Sequence, residues 1–216
     1  MHRLERIFNP RSVAVVGSKK TDNYNWLRTV LPFKGPKYNI NIDKNEWPGA
    51  AELGFPNYSS LLEVPGEVDL VLVSVPAKAV PFVIKDCIAK GVQGVFLHTA
   101  GYSETGMPEG IQLEKELVEM ARAGGLKIVG PNCLGIFNPQ AGIGVNLGGY
   151  YGESGHLAFI SNSGSQSGGF ARGALTHGIK LSKLVSMGNG IILDNPDYLE
   201  YFAQDKDTTV IGMYTE

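Results

Sequence analysis

The sequence predicts an α/β protein: a parallel sheet with helices on both faces, followed by the beginning of a second unit of the same kind. Three observations predict it. Short continuous apolar runs rich in β-branched residues alternate with stretches of helical periodicity, the pattern of strands buried on both faces. A glycine-rich passage interrupts this rhythm, which then restarts. The chain has 28 glycines among 216 residues, about twice the usual ~7%. They follow no short period, so they mark turns and close backbone approaches rather than a collagen-like or low-complexity chain.

Strands are expected at residues 12–17, 38–42, 69–75, 94–98 and 126–129, with helical stretches at 26–33, 58–62, 79–90 and 111–123. Together they make a first domain over residues 1–130. Residues 131–155 read as a connecting segment, with Gly135, Gly142, Gly144, Gly148, Gly149, Gly152 and Gly155 as its turns. Beyond it lie a strand at 156–161, helix 165–177, strand 181–187, helix 196–203 and strand 209–214. A three-stranded parallel sheet whose last strand ends the chain leaves an open edge, which invites association. The second domain, 156–216, is therefore expected to be truncated here, and a homo-oligomer is expected through that edge.

With 43% hydrophobic and 19% charged residues and a net charge of −2, the composition is that of an ordinary globular domain. It has no basic footprint for nucleic acid or a membrane surface. No apolar segment follows Met1 as a leader would require, and no apolar run approaches the ~18 residues of a membrane span. Two cysteines, Cys87 and Cys133, do not make a disulfide framework. These features point to the cytoplasm, and no metal site is read.

In open parallel sheets, ligands bind beyond the carboxyl ends of the strands, where helix N-termini and free N–H groups face them. The first-domain strands end in Gly17-Ser18-Lys19-Lys20, in Asp43-Lys44, in Val75-Pro76-Ala77-Lys78 and in Thr99-Ala100-Gly101. Gly17 would let backbone approach a pyrophosphate, and Lys19, Lys20, Lys44 and Lys78 would neutralise phosphate charge from one rim. The dinucleotide fingerprint is absent, because no glycine follows Gly17 before Gly35. A nicotinamide enzyme is disfavoured accordingly, with Asp43 the only candidate ribose ligand. Ser161-Asn162-Ser163-Gly164 runs from a strand into a helix, with Ser163 as a candidate N-cap and an anion site at that helix start. A serine-hydrolase elbow fits poorly, since Ser161 stands two places before Ser163. His2 is expected in a frayed terminus, His156 at a strand start and His177 at a helix end. His98, near the rim, is the histidine most suited to a functional role.

Six motifs in order resemble the nucleoside-diphosphate-forming acyl-CoA synthetases, relatives of the succinyl-CoA synthetase α subunit. They are Phe8-Asn-Pro-Arg-Ser-Val-Ala-Val-Val-Gly17, Val75-Pro-Ala-Lys-Ala-Val-Pro81, Ala100-Gly-Tyr-Ser-Glu-Thr-Gly106, Gly130-Pro-Asn-Cys-Leu-Gly135, Ser161-Asn-Ser-Gly164 and Leu184-Val-Ser-Met-Gly-Asn189. The resemblance covers nearly the whole chain. It implies a Rossmann-like CoA-binding domain followed by a flavodoxin-like domain, here incomplete, in an acid–thiol ligase that works through a phosphorylated histidine. It implies coenzyme A or acyl-CoA along Gly17, Ser18, Lys19, Lys20, Lys44, Val75, Pro76, Lys78, Thr99, Ala100 and Gly101, with the thiol end near Asn132 and Cys133. It places phosphate at Ser161, Ser163 and Gly164, and makes Glu216 the residue that orients the histidine, which would lie beyond this chain. ATP or ADP and Mg would enter only through a separate ATP-grasp domain or β subunit. The first loop, 21–26, carries Tyr24 and Trp26 where the family has a glycine, and their bulk is expected to narrow the site. A regulatory CoA-sensing domain, as in synthetase-like halves of protein acetyltransferases, is the alternative.

Overall fold

The computed structural model describes residues 1–144 and 153–216; the expected turns at Gly148, Gly149 and Gly152 lie outside them. A six-stranded sheet contains β1 (Val13–Val16), β2 (Lys37–Ile40), β3 (Asn57–Tyr58), β4 (Leu70–Val73), β5 (Gly94–Leu97) and β6 (Ile128–Val129). Their order is β3-β2-β1-β4-β5-β6, and every pairing is parallel. The runs Val-Ala-Val-Val, Leu-Val-Leu-Val and Gly-Val-Phe-Leu are buried throughout. Continuous apolar strands of this kind need cover on both faces. Around them lie α1 (Glu5–Phe8), α2 (Asn25–Arg28), α3 (Trp47–Glu52), α4 (Val80–Lys90) and α5 (Pro108–Ala123). One face packs on Val80, Ile84 and Cys87 of α4 and on Leu117 and Ala121 of α5.

A second sheet has the order β10-β8-β9-β7, from β7 (Gly135–Phe137), β8 (Leu157–Ser161), β9 (Leu181–Ser186) and β10 (Val210–Tyr214), with α6 (Gly164–Thr176) and α7 (Asn195–Gln204). The three parallel strands stand as expected, but β7 adds a fourth, antiparallel to β9. With three residues led by a glycine, β7 carries no strand period in the sequence and falls within the expected connecting segment. Gly135 sits at φ +82°, with the Phe96 ring 2.7 Å from where a Cβ would lie, so the chain turns tightly under β5 into the second sheet. Two other expectations fail locally. Residues 58–62 are no helix: they hold the end of β3 and the start of a 3-10 turn at Leu61–Glu63. Of residues 26–33, only the first turn is α-helical. At α7 the Asp194-Asn-Pro-Asp197 run forms a capping box, in which the Asp194 amide donates to Asp197 at 2.8 Å.

One apolar core joins the sheets. It includes Leu4, Phe8 and Phe96 from the first unit and Ile160, Val185, Tyr198 and Phe202 from the second. Phe8 stacks on Tyr201 at 4.5 Å, and Asn138 Nδ2 donates to the Phe8 carbonyl at 2.8 Å. His2, expected to fray, lies 5.3 Å from the Tyr201 ring in the same seam. Within β9, Lys183 is 1% exposed. Its Nζ donates to Asp205 Oδ2 at 2.6 Å, and Thr208 Oγ1 donates to the same oxygen at 2.7 Å. No helix among the described residues is long and apolar enough to cross a membrane.

Candidate functional site

The strand order reverses between β1 and β4, the place where open α/β sheets take ligands. A cavity of about 300 Å³ lies there, lined among others by Gly17, Asn41, Ile42, Val75 and Phe82. It is mainly apolar, and Ile42 and Phe82 are 87% and 70% exposed, large side chains that folding alone does not use. Gly17 sits at φ +94°, and a Cβ there would be 2.5 Å from the Ser74 carbonyl oxygen. Glycine is thus required by the turn after β4 as much as by any ligand. Asn41 Nδ2 donates to the Ser18 carbonyl at 2.8 Å, and the Ser18 hydroxyl is buried with no hydrogen-bond partner among the described residues.

The four lysines of the expected rim lie apart from the cavity lining. Lys19, Lys20 and Lys44 are exposed, and none lines the cavity. The Lys44 ammonium lies 5.4 Å from the Trp47 ring. Lys78 is paired with Glu109 at 3.0 Å, beside a separate depression with Pro76 and Gly101. Tyr24 and Trp26 do not narrow the cavity either. Both are 7% exposed core residues, and the Trp26 ring packs 4.1 Å from His98. The bulk that replaces a glycine in the first loop is taken up by the interior.

A second cleft of about 800 Å³ gathers the chain beyond β5, β6, β8 and β10: His98, Ala100, Asn132, Cys133, Ser163, Gly164, Arg172 and Glu216. Seven residues singled out in the sequence, all of these but Arg172, therefore meet in one place. Ser163 occupies the N-cap position of α6, but its hydroxyl makes no capping bond; it lies 3.2 Å from Ser165 Oγ. The turn is held instead by Ser161, whose Oγ accepts from the Ser163 amide at 3.0 Å. The Glu216 amide donates to Asn162 Oδ1 at 3.2 Å. Thr99 donates to the Val75 carbonyl at 2.6 Å and ties the ends of β4 and β5 together.

Cys133 lines the cleft, yet its Sγ points inward toward the carbonyls of Leu97 and Val129, at 3.3 and 3.6 Å. Burial pushes this thiol up to about 12, and burial raises Cys87 further. Thiolate is the reactive form. Iodoacetamide at pH 8 is expected to label neither cysteine of the native chain within minutes and both in denaturant, read by mass spectrometry. Rapid native labelling of Cys133 would refute the inward packing.

Arg172, one helical turn after Gly168, was missed; the only sequence signal was a cation following a position without a side chain. Two of the motifs serve as scaffold. The Asn189 amide donates to the Pro131 carbonyl at 3.0 Å, and its Nδ2 donates to Glu104 and Glu114, each at 2.8 Å. Burial would raise the Glu104 carboxyl, but hydrogen bonds from Asn189 and the Gly101 and Tyr102 amides outweigh it and hold the group below its ordinary value.

The CoA binding domain family matches residues 11–139, and the succinyl-CoA ligase like flavodoxin domain matches residues 154–216. An ADP-forming acetate–CoA ligase I of Archaeoglobus fulgidus is 39% identical over 99% of this chain and 31% of its own. The α subunit of an ADP-forming acetate–CoA ligase II of Pyrococcus furiosus is 38% identical over 99% of this chain and 46% of its own. The chain thus spans about a third to a half of the length of these curated relatives. An acetyl-coenzyme A synthetase 1 of Ca. Korarchaeum cryptofilum, solved with phosphate and ADP, superposes with a TM-score of 0.88 at 36% identity, over 99% of this chain and 45% of its own.

Proposed function

The chain belongs to the CoA-binding domain family, continued by a succinyl-CoA-ligase-like flavodoxin domain, and from that premise we propose that it is the CoA-binding portion of an ADP-forming acyl-CoA ligase. CoA is here a substrate. The observation that carries the proposal is that the carboxyl ends of both sheets open on one cleft, where Ala100, Asn132, Ser163 and Glu216 meet. The apolar cavity beyond β1 and β4 suits the nucleotide end of CoA, with Ile42 and Phe82 against the base and the orphaned Ser18 hydroxyl nearby. The amides at the start of α6 suit a phosphoryl group. Lys19 and Lys20, exposed next to Gly17 and Ser18, supply charge in solution rather than a fixed ligand shell.

On this reading the two reactants of acyl transfer, an acyl phosphate and a thiol, share the second cleft with the phosphate that departs. Glu216 orients a phosphorylated histidine that sequence outside these 216 residues supplies. ATP or ADP with Mg enters through an ATP-grasp domain or β subunit, and the assembly works in the cytoplasm; the α-subunit names of the Pyrococcus relatives support a second subunit. The first domain corresponds to residues 1–130 and the second to 156–216.

Calorimetric titration tests the CoA step. Saturable binding is expected, and an Ile42→Ser/Phe82→Ala variant is expected to bind at least tenfold more weakly, the loss of about 1.4 kcal/mol of apolar contact. Its melting temperature should not change, because both side chains are exposed. Absence of heat at millimolar CoA would overturn the proposal.

A further inference from the structure

His98 lies at the end of β5, in the wall of the second cleft. Its Nδ1 is 2.9 Å from the Cys133 carbonyl oxygen. A carbonyl can only accept, so Nδ1 must carry the hydrogen of this bond. In the neutral ring Nε2 is then left with its lone pair, and no hydrogen-bond partner of Nε2 is found among the described residues. The Trp26 ring against its side, 4.1 Å between centroids, fixes the orientation further. A histidine tied at one nitrogen and open at the other is the arrangement of a positioned base.

The other ionisable groups facing the cleft are Arg172 from α6, Glu216 beyond β10 and Cys133. The Arg172 guanidinium has only N–H donors and no acceptor. The Cys133 thiol is turned toward Leu97 and Val129, and Glu216 is the residue that the reading above gives to the phosphorylated histidine. We propose that His98 is the proton acceptor for the thiol that attacks in this cleft, an inference that rests on the CoA-ligase reading above. In that step the thiol proton passes to His98 Nε2 as the sulfur bonds to the acyl carbon. The carbon–oxygen bond of the acyl phosphate breaks, and phosphate leaves with the electron pair. His98 then returns its proton to solvent.

The test alkylates CoA bound to the 216-residue chain with iodoacetamide at pH 7. There the same proton transfer assists attack on a different carbon, and iodide leaves. Both cysteines of the chain are buried, so the thiol consumed is that of CoA. Bound CoA is expected to react at least tenfold faster than free CoA. His98→Asn keeps a donor for the Cys133 carbonyl and removes Nε2. It should abolish the acceleration with an unchanged Kd for CoA, whereas His98→Ala, which also loses the bond to Cys133, controls for structure. An acceleration that survives in His98→Asn, or bound CoA reacting no faster than free CoA, would overturn the role of His98. Failure of the unaltered chain to bind CoA would instead overturn the CoA-ligase reading.

Discussion

Replacing Lys183 with methionine is expected to lower the folding free energy by about 3–5 kcal/mol, because the change leaves the buried Asp205 carboxylate without its cation. Lys183 is 1% exposed in the middle of β9, and Asp205, just beyond α7, has 7% of its side chain exposed. Lys183 cannot reach water without opening the sheet, and the Asp205 carboxylate oxygen is shared between Lys183 and Thr208. For a chain of this size the loss corresponds to roughly 6–20 °C in melting temperature. The paired change Lys183→Met/Asp205→Leu should recover most of it, since apolar residues of similar volume often replace a buried ion pair at little cost. Thr208, which donates to Asp205, keeps a partner in Ser182 Oγ at 2.8 Å. Thermal denaturation of the single and double variants decides the matter: a single variant as stable as the parent would mean that Asp205 reaches solvent.

Gly188→Ala is expected to cost about 3 kcal/mol or more and to weaken CoA binding as well. Gly188 sits at φ +56°, and a Cβ there would fall within the van der Waals radii of the Pro131 and Asn132 carbonyl oxygens. Part of the penalty is the left-handed backbone, and the larger part is the clash with main chain that cannot swing aside. The segment forced to move, 130–132, carries Asn132 into the second cleft and receives the Asn189 amide. A drop of roughly 6–12 °C in melting temperature, together with a reduced CoA affinity in calorimetry, is the expected pair of results. An unchanged melting temperature would show that the two turns are not in contact.

The strands of the first sheet were legible because β1, β4 and β5 are buried on both faces and therefore read as unbroken apolar runs. β3 and β7 were not. Two or three residues carry no period, and their strand state comes from neighbours far along the chain: Asn39 for Asn57, Val185 for Ile136. The second cleft was legible in part, because Asn132, Ser163 and Glu216 all follow strands of parallel sheets. Arg172 and the free face of His98 depend on side-chain direction, which sequence spacing does not fix. The directions of the lysine side chains are unreadable from sequence for the same reason. Lys78 stands beyond β4, and its ion-pair partner Glu109 lies 31 positions away beside a different depression. Glu104 and Asn189 stood in motifs that suggested chemistry, and they act as a clasp between two turns.

The two family matches meet between residues 139 and 154, yet Phe8 and Tyr201 lie on opposite sides of that seam in sequence and stack face to face across it. A seam in homology is therefore not a seam in cohesion. Phe8, Phe96, Ile160 and Val185 belong to one shared core, so either segment alone would expose apolar surface that the other covers, and each is expected to be less stable apart than together.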